Sequence, residues 1–378
     1  MIPDRPLDIL LVGDASSYHP TLADALRGLG HHVTVASDGC ISWMQTRREI
    51  NTARRLPGKL GGLDLWMRLG LNRKRLFSGY DIVSLASQDF VPLRPSRVRT
   101  FFDRLKADNR SIFYTALGTD WRFTQECLDP ATPLVENEFM VRGEPTPFYR
   151  ADRAEVNLWT QGELLDTGQH IYANVDGAVS ALWEYDVAIR RYFASDRMAY
   201  GGIPIDTRKV AYQDLPERPD RVRLFLGRHR HHMMLKGTDK LEAAARAVVA
   251  RHPDKAELVI VENRPYDEYL RLLESAHVVL DQIYSYTPAT NAMLAMAMGK
   301  VAVSGGAECF YRFIGEEEMR PVLHIDSDYE SIERALEWAV THPEQLRERG
   351  REGRRFVEKH NDSRVVARRF LDFWTSRL

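Results

Sequence analysis

The chain has 378 residues, which is too long for one ordinary hydrophobic core and fits two domains of ordinary size. Lys plus Arg number 52 against 53 for Asp plus Glu, and this balance argues against a dedicated nucleic-acid-binding protein. The 3 cysteines lie far apart, without metal-binding or redox spacing, which indicates a reducing compartment. The charged N-terminal segment predicts no secretory signal, so we expect a cytoplasmic protein.

Strand-like and helix-like runs alternate from the beginning of the chain. Asp8–Gly13 is a short apolar run that ends in glycine, as a buried parallel strand does, and a polar loop over 14–19 follows it. A helix is predicted from Pro20, with its apolar residues on one face. Further apolar runs predict strands at 32–36, 82–86, 111–117 and 177–183. This alternation predicts right-handed crossovers and a parallel sheet.

The same pattern restarts at Arg221. Apolar runs predict a second set of strands at 222–227, 257–261, 277–283, 301–304 and 321–325. Helices are predicted between them at 241–249, 266–276 and 289–298. The segment 201–219 is rich in Gly, Pro and charge, which marks a domain boundary. We therefore predict an α/β protein with Rossmann-like domains over 1–203 and 204–361, and a C-terminal helix over 362–378 with an apolar face to bury.

Four stretches of the sequence resemble those of a known enzyme family. They are Leu226–Arg228 with Lys236–Ala244, Tyr266–Leu270 with His277–Asp281, Ala295–Glu308, and Tyr200–Asp206. They resemble the glycine-arginine, lysine-glycine, base-binding, and glycine-glycine-glutamate stretches of GT-B glycosyltransferases, specifically the retaining family 4. The likeness covers most of 221–308 and is weaker in the first half.

The resemblance implies a GT-B fold, in which two Rossmann-like domains face each other. Domain 1–203 then serves the acceptor, domain 204–361 binds the nucleotide-sugar donor, and 362–378 crosses back to the first domain. The implied reaction moves a hexose-like sugar from a nucleotide-diphosphate donor to a glycan, glycolipid or other acceptor, as in polysaccharide biosynthesis. Retention of configuration and independence of metals and cofactors are also implied. A GT-B-fold sugar-nucleotide epimerase and a non-catalytic binding protein of this fold remain alternatives.

Cationic side chains follow the first strand of the second domain. Arg228, Arg230 and Lys236 flank the loop there, at the sheet edge where doubly wound domains bind ligands. A leaving nucleotide diphosphate carries growing negative charge, which cations stabilise best. We predict that these residues bind phosphate; the alternative is a solvated basic loop. The neighbouring histidines at 229, 231 and 232 are interpreted as a loop and not as a metal site.

A predicted helix start offers a second anion site. Thr287 and Pro288 suit the N-cap and first position of a helix from Ala289. The free amides around Thr290 and Asn291 would then favour a phosphate. The alternative is a capped helix with nothing bound.

Other donor contacts are predicted along the same half. Glu262 and Asn263, in the loop before Arg264, are expected near the base. Gly305 and Gly306 allow close approach of backbone to a sugar, and the resemblance places Glu308 in the site as a polar contact. The alternative for Glu308 is a surface glutamate.

The sequence departs from the family at one motif. Family members usually carry two glutamates separated by seven residues, and the corresponding places here hold Tyr286 and Leu294. Either the site has been rebuilt, with Tyr284, Tyr286, Asn291 and Glu308 supplying polar contacts, or catalysis has been lost. We favour the rebuilt site, with Tyr286 and Glu308 as catalytic residues.

Asp120 in the first domain is a third catalytic candidate. It follows a predicted strand and could bond a sugar or acceptor hydroxyl; the alternative is an aspartate that caps a turn.

The segment 47–75 carries many Arg and Lys residues interleaved with Leu and Trp. This pattern suits peripheral contact with an anionic membrane at its inner face, or a diphospho-lipid acceptor. The alternative is a solvated helical face.

Overall fold

The computed structural model describes residues 5–39, 47–228, 233–262 and 264–378. These residues form two compact units. Unit 1 comprises the chain up to 126, together with 154–204 and 363–378. Unit 2 comprises 127–153 and 205–362. Arg230, Asn263 and the histidines at 229, 231 and 232 lie outside the described residues, so the expectations for them stay predictions.

The strands of the described residues are numbered along the chain. They are β1 (Asp8–Val12), β2 (His32–Ser37), β3 (Ile50–Asn51), β4 (Ile82–Leu85), β5 (Ser111–Ala116), β6 (Met140–Val141), β7 (Glu144–Pro145), β8 (Gly177–Ser180), β9 (Met198–Tyr200), β10 (Val222–Arg228), β11 (Ala256–Glu262), β12 (Val278–Leu280), β13 (Val301–Ser304) and β14 (Leu323–His324).

The α-helices of the described residues are numbered in the same way. They are α1 (Tyr18–Gly28), α2 (Gly58–Leu76), α3 (Pro95–Asp108), α4 (Trp121–Leu128), α5 (Pro147–Ala151), α6 (Arg153–Thr160), α7 (Gly162–Asn174), α8 (Trp183–Arg190), α9 (Met233–Lys236), α10 (Thr238–Arg251), α11 (Tyr266–Glu274), α12 (Thr290–Ala297), α13 (Glu308–Phe313), α14 (Tyr329–Thr341), α15 (Leu346–His360) and α16 (Ser363–Thr375).

Unit 1 is built on a parallel sheet in the order β3-β2-β1-β4-β5-β8-β9. Its central strands β4, β5 and β8 are buried along their whole length, as apolar runs in a parallel sheet must be. One apolar cluster fills the side of the sheet covered by α2, α3 and α7. The other side is covered by α1 and α16. The predicted doubly wound α/β class is confirmed.

The C-terminal helix α16 is an integral part of unit 1. Phe370 and Trp374 are both 0% exposed and pack against each other edge to face with ring centroids 5.0 Å apart. The Phe370 ring also contacts Tyr18 of α1, and Arg369 donates a hydrogen bond to the Gly201 carbonyl at 3.1 Å. The return of the last helix to the first sheet, which the resemblance implied, is confirmed, and its apolar face is what holds it there.

Unit 2 contains a parallel sheet in the order β11-β10-β12-β13-β14. Helices α10 and α14 pack over one apolar cluster of this sheet, and α11 and α12 border another. The expected strand over 321–325 is shorter than predicted, because only Leu323 and His324 pair with β13.

The segment Cys127–Arg153 differs from expectation, since the prediction assigned it to domain 1–203 and its acceptor loops. In the structure it belongs to unit 2. The amide of Glu136 donates to the Tyr286 hydroxyl at 3.0 Å, and the Glu136 carboxylate accepts from the Ser327 amide at 2.9 Å. These long-range hydrogen bonds bind the segment to the second sheet, and its local sequence does not predict them.

Among the helices that the structure describes, none is both long and apolar enough to cross a bilayer.

Removing the Phe370 side chain tests the role of α16. Phe370→Ala deletes a fully buried ring, and we expect unit 1 to lose about 3–5 kcal/mol of unfolding free energy. Differential scanning calorimetry should show a lower transition temperature for the unit that contains α16. Asp372→Ala, two positions along on the exposed face of the same helix, should leave it unchanged. Equal transitions for both variants would contradict the packing described here.

Candidate functional site

The strand order of unit 2 defines where a ligand can reach its backbone. The chain passes from β10 to β11 on one side and then crosses to β12 on the other side of β10. The winding direction therefore reverses between β10 and β12, and such switch points open a crevice beyond the carboxyl ends of the strands. Residues that directly follow β10, β12 and β13 are the candidates for ligand contact.

A buried carboxylate, that of Asp281, occupies this position after β12. Asp281 is 4% exposed, and its Oδ2 accepts from the Ser304 hydroxyl at 3.2 Å. It also accepts hydrogen bonds from the Ala289 amide and the Asn291 side chain. Burial raises its pKa, against the positive charge of Lys236 and these hydrogen bonds, which lower it. Sequence reasoning missed Asp281, although its place at the end of a predicted apolar strand is the signal that marks it.

Asn291, predicted as a donor contact, belongs to the same network. Its Oδ1 accepts from the Tyr269 hydroxyl at 2.7 Å, while its side chain bonds Asp281. Burial raises the pKa of Tyr269, so its hydroxyl stays protonated as a donor. The structure therefore gives Asn291 a positioning role between α11 and the end of β12.

The start of α12 differs from the prediction. The helix begins at Thr290 with Ala289 as its N-cap, and Thr287 is not the capping residue but is fully buried. The physical reason is the hydrogen bond from the Ala289 amide to Asp281, which holds Ala289 in an extended conformation. The first-turn amides from Thr290 onward still have no partner within the helix, as at any helix start.

Lys236 lies at the end of α9, at the same edge of the sheet. Its side chain is exposed, and its positive charge acts on the buried carboxylate of Asp281. Its carbonyl accepts from the Ile283 amide at 3.1 Å, which ties α9 to the loop after β12. The turn at Gly237 has φ +67°, and a Cβ there would come within 2.3 Å of the Ile283 side chain. The glycine thus allows the lysine-glycine turn to approach that loop.

Arg228 and Glu262, both predicted to contact the donor, are paired with each other. The Arg228 Nε donates to Glu262 at 2.6 Å, and its Nη1 donates to Glu242 of α10. The pairing with these two carboxylates raises the pKa of Arg228. A phosphate would have to compete with both carboxylates, so Arg228 is a weaker candidate than Lys236.

Tyr284 is buried in the loop after β12. It is 9% exposed, and the Lys240 ammonium lies 5.4 Å from its ring centroid. Burial raises the pKa of Tyr284 to about 12. Its ring packs in the apolar cluster under α10, which leaves little of it to reach a sugar.

The Tyr286 hydroxyl is engaged with the segment Cys127–Arg153. It accepts from the Glu136 amide at 3.0 Å and lies 3.5 Å from the Pro133 carbonyl. This geometry assigns it an anchoring role in unit 2, which differs from the catalytic role predicted for it.

The stretch after β13 packs against protein rather than presenting an open backbone. A Cβ at Gly305 would come within 2.1 Å of the Ser285 carbonyl oxygen, and one at Gly306 within 2.8 Å of Val322. Glu308 is exposed and forms a bidentate ion pair with Arg320, with both distances 2.9 Å. That pairing lowers its pKa. The geometry supports the alternative interpretation, a surface glutamate.

Asp120 in unit 1 has a structural role, contrary to the catalytic prediction. It is 2% exposed, and its carboxylate accepts from the Phe123 amide at 2.8 Å, which caps α4. Its other oxygen accepts from the hydroxyls of Tyr114 and Tyr172 at 2.8 and 2.5 Å. Because both oxygens are engaged within the protein and the carboxyl is buried, the geometry supports the alternative of a capping aspartate.

Unit 1 has its own switch point between β1 and β4, and sequence reasoning missed its ionisable groups. Asp14 accepts from the His19 amide at 3.0 Å, and Ser16 and Ser17 adopt left-handed conformations with φ 53° and 59°. His19 is fully buried, and its Nδ1 lies 2.7 Å from the Gly13 carbonyl. The signal was the polar loop over 14–19 directly after a buried strand.

These groups have shifted pKa values with clear causes. Burial raises the pKa of Asp14 to about 6, despite backbone hydrogen bonds from His19, Ala15 and Ser17 that lower it. Burial lowers the pKa of His19 to about 4, so the ring is neutral at pH 7. A carboxyl group that accepts several backbone hydrogen bonds and has a raised pKa therefore lies at the switch point of unit 1.

Comparisons with known proteins agree on the fold. No protein-family model and no curated protein sequence matches the chain. Sucrose-phosphate synthase from Thermosynechococcus elongatus is similar in structure, with a TM-score of 0.63 at 13% identity over 98% of both chains. HepE from Anabaena, in complex with UDP and glucose, has a TM-score of 0.59 at 10% identity over 98% of this chain and 100% of that one.

A third similar structure belongs to a different activity class. A putative UDP-N-acetylglucosamine 2-epimerase from Listeria monocytogenes has a TM-score of 0.52 at 10% identity, over 98% of this chain and 95% of that one. At these identities the similarity establishes the fold, and the expected GT-B class is confirmed. Membership of family 4 stays a prediction.

The titration of Asp14 gives a testable pH dependence. Its native pKa of about 6 lies above its ordinary 3.8, so the folded state holds this proton more tightly than the unfolded state. The Asp14 carboxylate therefore costs stability as pH rises from about 4 to 6, on the order of 1–3 kcal/mol in total. Asp14→Asn should flatten that part of the stability curve and stabilise the protein at pH 7. Parallel curves for variant and wild type in denaturant titrations would refute the shift.

Proposed function

We propose that the protein is a glycosyltransferase that uses a nucleotide-diphosphate sugar, with the donor bound at the carboxyl edge of the unit 2 sheet. One observation carries the proposal. Lys236 is an exposed cation at the switch point, and its positive charge acts on the buried carboxylate of Asp281. The bound UDP in the similar HepE structure supports the same ligand class for this chain.

The proposed chemistry is electrostatic. Cleavage of the sugar–phosphate bond leaves negative charge on the diphosphate, and a lysine ammonium stabilises that charge more in the transition state than in the ground state. The first-turn amides of α12, which Asp281 positions through Ala289, supply further donors on the same edge. Neither contribution requires a metal or another cofactor. The proposal includes independence of metals, transfer to a glycan, glycolipid or other acceptor, and retention of configuration.

Lys236→Ala tests the donor assignment. Losing a charged phosphate contact typically costs about 1.5–3 kcal/mol, so UDP should bind roughly tenfold or more weakly in calorimetric titrations. Lys209→Ala is the matched control, because Lys209 is an exposed lysine of unit 2 that forms a surface ion pair with Asp206. Unchanged UDP affinity in Lys236→Ala would remove the basis of the proposal.

Product analysis separates this function from its alternatives. A panel of nucleotide sugars is incubated with the protein and glycan or lipid-linked acceptors, and mass spectrometry identifies the products. Released nucleoside diphosphate with a glycosylated acceptor or free sugar supports a transferase. An isomerised nucleotide sugar indicates the epimerase, and donor binding without turnover indicates a binding protein.

We further propose that α2 docks on an anionic membrane surface. The helix presents a stripe of exposed apolar side chains at three- and four-residue spacing, namely Leu60, Leu63, Met67 and Leu71, which are 69, 42, 51 and 87% exposed. Basic residues 54, 55, 59, 74 and 75 beside it are exposed. Apolar side chains at helical spacing with flanking cations are typical of helices that lie in a bilayer interface. A lipid-linked acceptor would be reached from such a surface.

Vesicle sedimentation tests this docking. The triple variant Leu60→Gln, Met67→Gln and Leu71→Gln should bind anionic phosphatidylglycerol vesicles at least tenfold more weakly, because each buried leucine contributes about 1.5–3 kcal/mol. Leu158→Gln in α6 of unit 1 is the control, since Leu158 is also exposed, at 61%. Equal sedimentation of wild type and triple variant, or none with wild type, would exclude the membrane contact.

A further inference from the structure

A cavity lies at the opposite edge of the unit 2 sheet, where its strands begin. It has a volume of about 450 Å³, which is within the range of small-molecule sites. Residues at or just before the amino-terminal ends of β10, β11, β12 and β13 line it, and the linker residues 213–216 form another part of its wall. Because parallel strands begin at one edge and end at the other, this cavity is separate from the switch-point crevice.

Lys300 gives the cavity an unusual charge. The residue is 2% exposed and lines the cavity, and its ammonium lies 3.5 Å from the neutral amide oxygen of Gln213. In the described part of the chain no carboxylate pairs with it within 4.0 Å. Burial lowers the pKa of Lys300, and the negative charge of Glu274, which also lines the cavity, raises it. A buried cation without an ion pair is costly, so the fold keeps a site of positive potential here.

The other charges of the wall are largely paired. Arg223 donates to Glu257 at 2.5 Å, and Asp214 accepts from Arg347 and Arg351 at 2.8 and 2.6 Å. The carboxylates of Glu257 and Asp214 are thus satisfied by guanidinium groups and do not compensate Lys300.

His277 adds a neutral donor to the wall. Its Nδ1 accepts from the Arg223 amide at 2.9 Å, so the proton of the neutral ring lies on Nε2. Burial, together with the positive charges of Lys300 and Arg223, lowers the pKa of His277 to about 4. The ring is therefore neutral at pH 7 and can donate one hydrogen bond from Nε2.

We propose that this cavity binds a small phosphorylated or carboxylated metabolite whose oxyanion pairs with Lys300. The buried ammonium supplies the charge, and Gln213 and His277 supply amide and imidazole groups beside it. Leu215, Pro216 and Ala276 add apolar surface that suits the carbon skeleton of such a ligand, beside the polar side chains of Arg221, Glu274 and Ser275. The site is independent of the proposed donor edge and shares no residue with it.

Calorimetric titration with inorganic phosphate, and separately with acetate, at constant ionic strength tests the proposal. Wild type should bind at least one of the two anions, and the stronger of them tells whether the site prefers phosphate or carboxylate. Lys300→Met should weaken that binding about tenfold or more. Lys209→Met, which removes an exposed lysine of the same unit, should bind like wild type. Equal binding by Lys300→Met, or none by wild type, would overturn the proposal.

Phosphate can also enter the proposed donor edge, so the titration is repeated with Lys236→Ala. Binding that persists in Lys236→Ala and is lost in Lys300→Met supports the cavity. Binding lost in Lys236→Ala and retained in Lys300→Met assigns the anion to the donor edge and overturns the cavity site. Failure of the protein to bind UDP would remove the proposed function and leave this test intact.

Two further measurements locate the anion and check the fold. Competitive labelling with acetic anhydride, read by mass spectrometry, should show that the bound anion slows acetylation of Lys300 and not of Lys209. Lys300→Met should also melt at a higher temperature than wild type without anion, because it replaces a buried charge with an apolar side chain of similar size. Unprotected Lys300 in the presence of saturating anion would contradict the assignment.

Discussion

The buried carboxylate of Asp281 is the interaction on which the candidate donor edge depends. It follows directly after β12 and joins three elements, through Ser304 at the end of β13, the Ala289 amide before α12, and Asn291 within α12. A carboxyl group taken out of water is stable only where hydrogen bonds replace its hydration. Satisfying Asp281 therefore fixes where α12 begins and how it lies against the sheet. The start of α12, whose first-turn amides can bind an anion, therefore depends on Asp281.

The two edges of the unit 2 sheet differ in how their cations are paired and buried. At the carboxyl edge the guanidinium of Arg228 is paired with Glu262 and Glu242, while the side chain of Lys236 is exposed to solvent. At the amino edge Lys300 is buried with a neutral amide as its near contact. An exposed cation lowers the folding stability little and is available to an incoming phosphate. A buried cation lowers the folding stability until an anion pairs with it. Strands β10, β12 and β13 run from one edge to the other.

Much of the fold could be predicted from sequence, because parallel strands buried on both faces are short apolar runs that stand out against amphipathic helices. The same reasoning placed Lys236 after the first strand of the second sheet, and the structure places it there too. It failed where a residue's partner is distant in sequence. Asp120 meets Tyr172 of α7, and Glu308 meets Arg320 beyond α13. Local sequence patterns do not predict such pairs, so catalytic roles were predicted for Asp120 and Glu308, whose carboxylates are bound by other side chains.

The two positions at which members of family 4 usually carry glutamates show how this site differs physically from theirs. Leu294 is half-buried in an apolar cluster with Phe225, Leu273 and Met298, where an ionised side chain would be desolvated without a partner. Tyr286 holds the segment Cys127–Arg153 through the Glu136 amide. Neither residue can replace a carboxylate that contacts ribose or sugar. If a nucleotide sugar binds here, its diphosphate is held by a cation and backbone amides, and these groups recognise the charge that all such donors share. The sugar and the base must then be selected by backbone groups and by the loops that follow the strands.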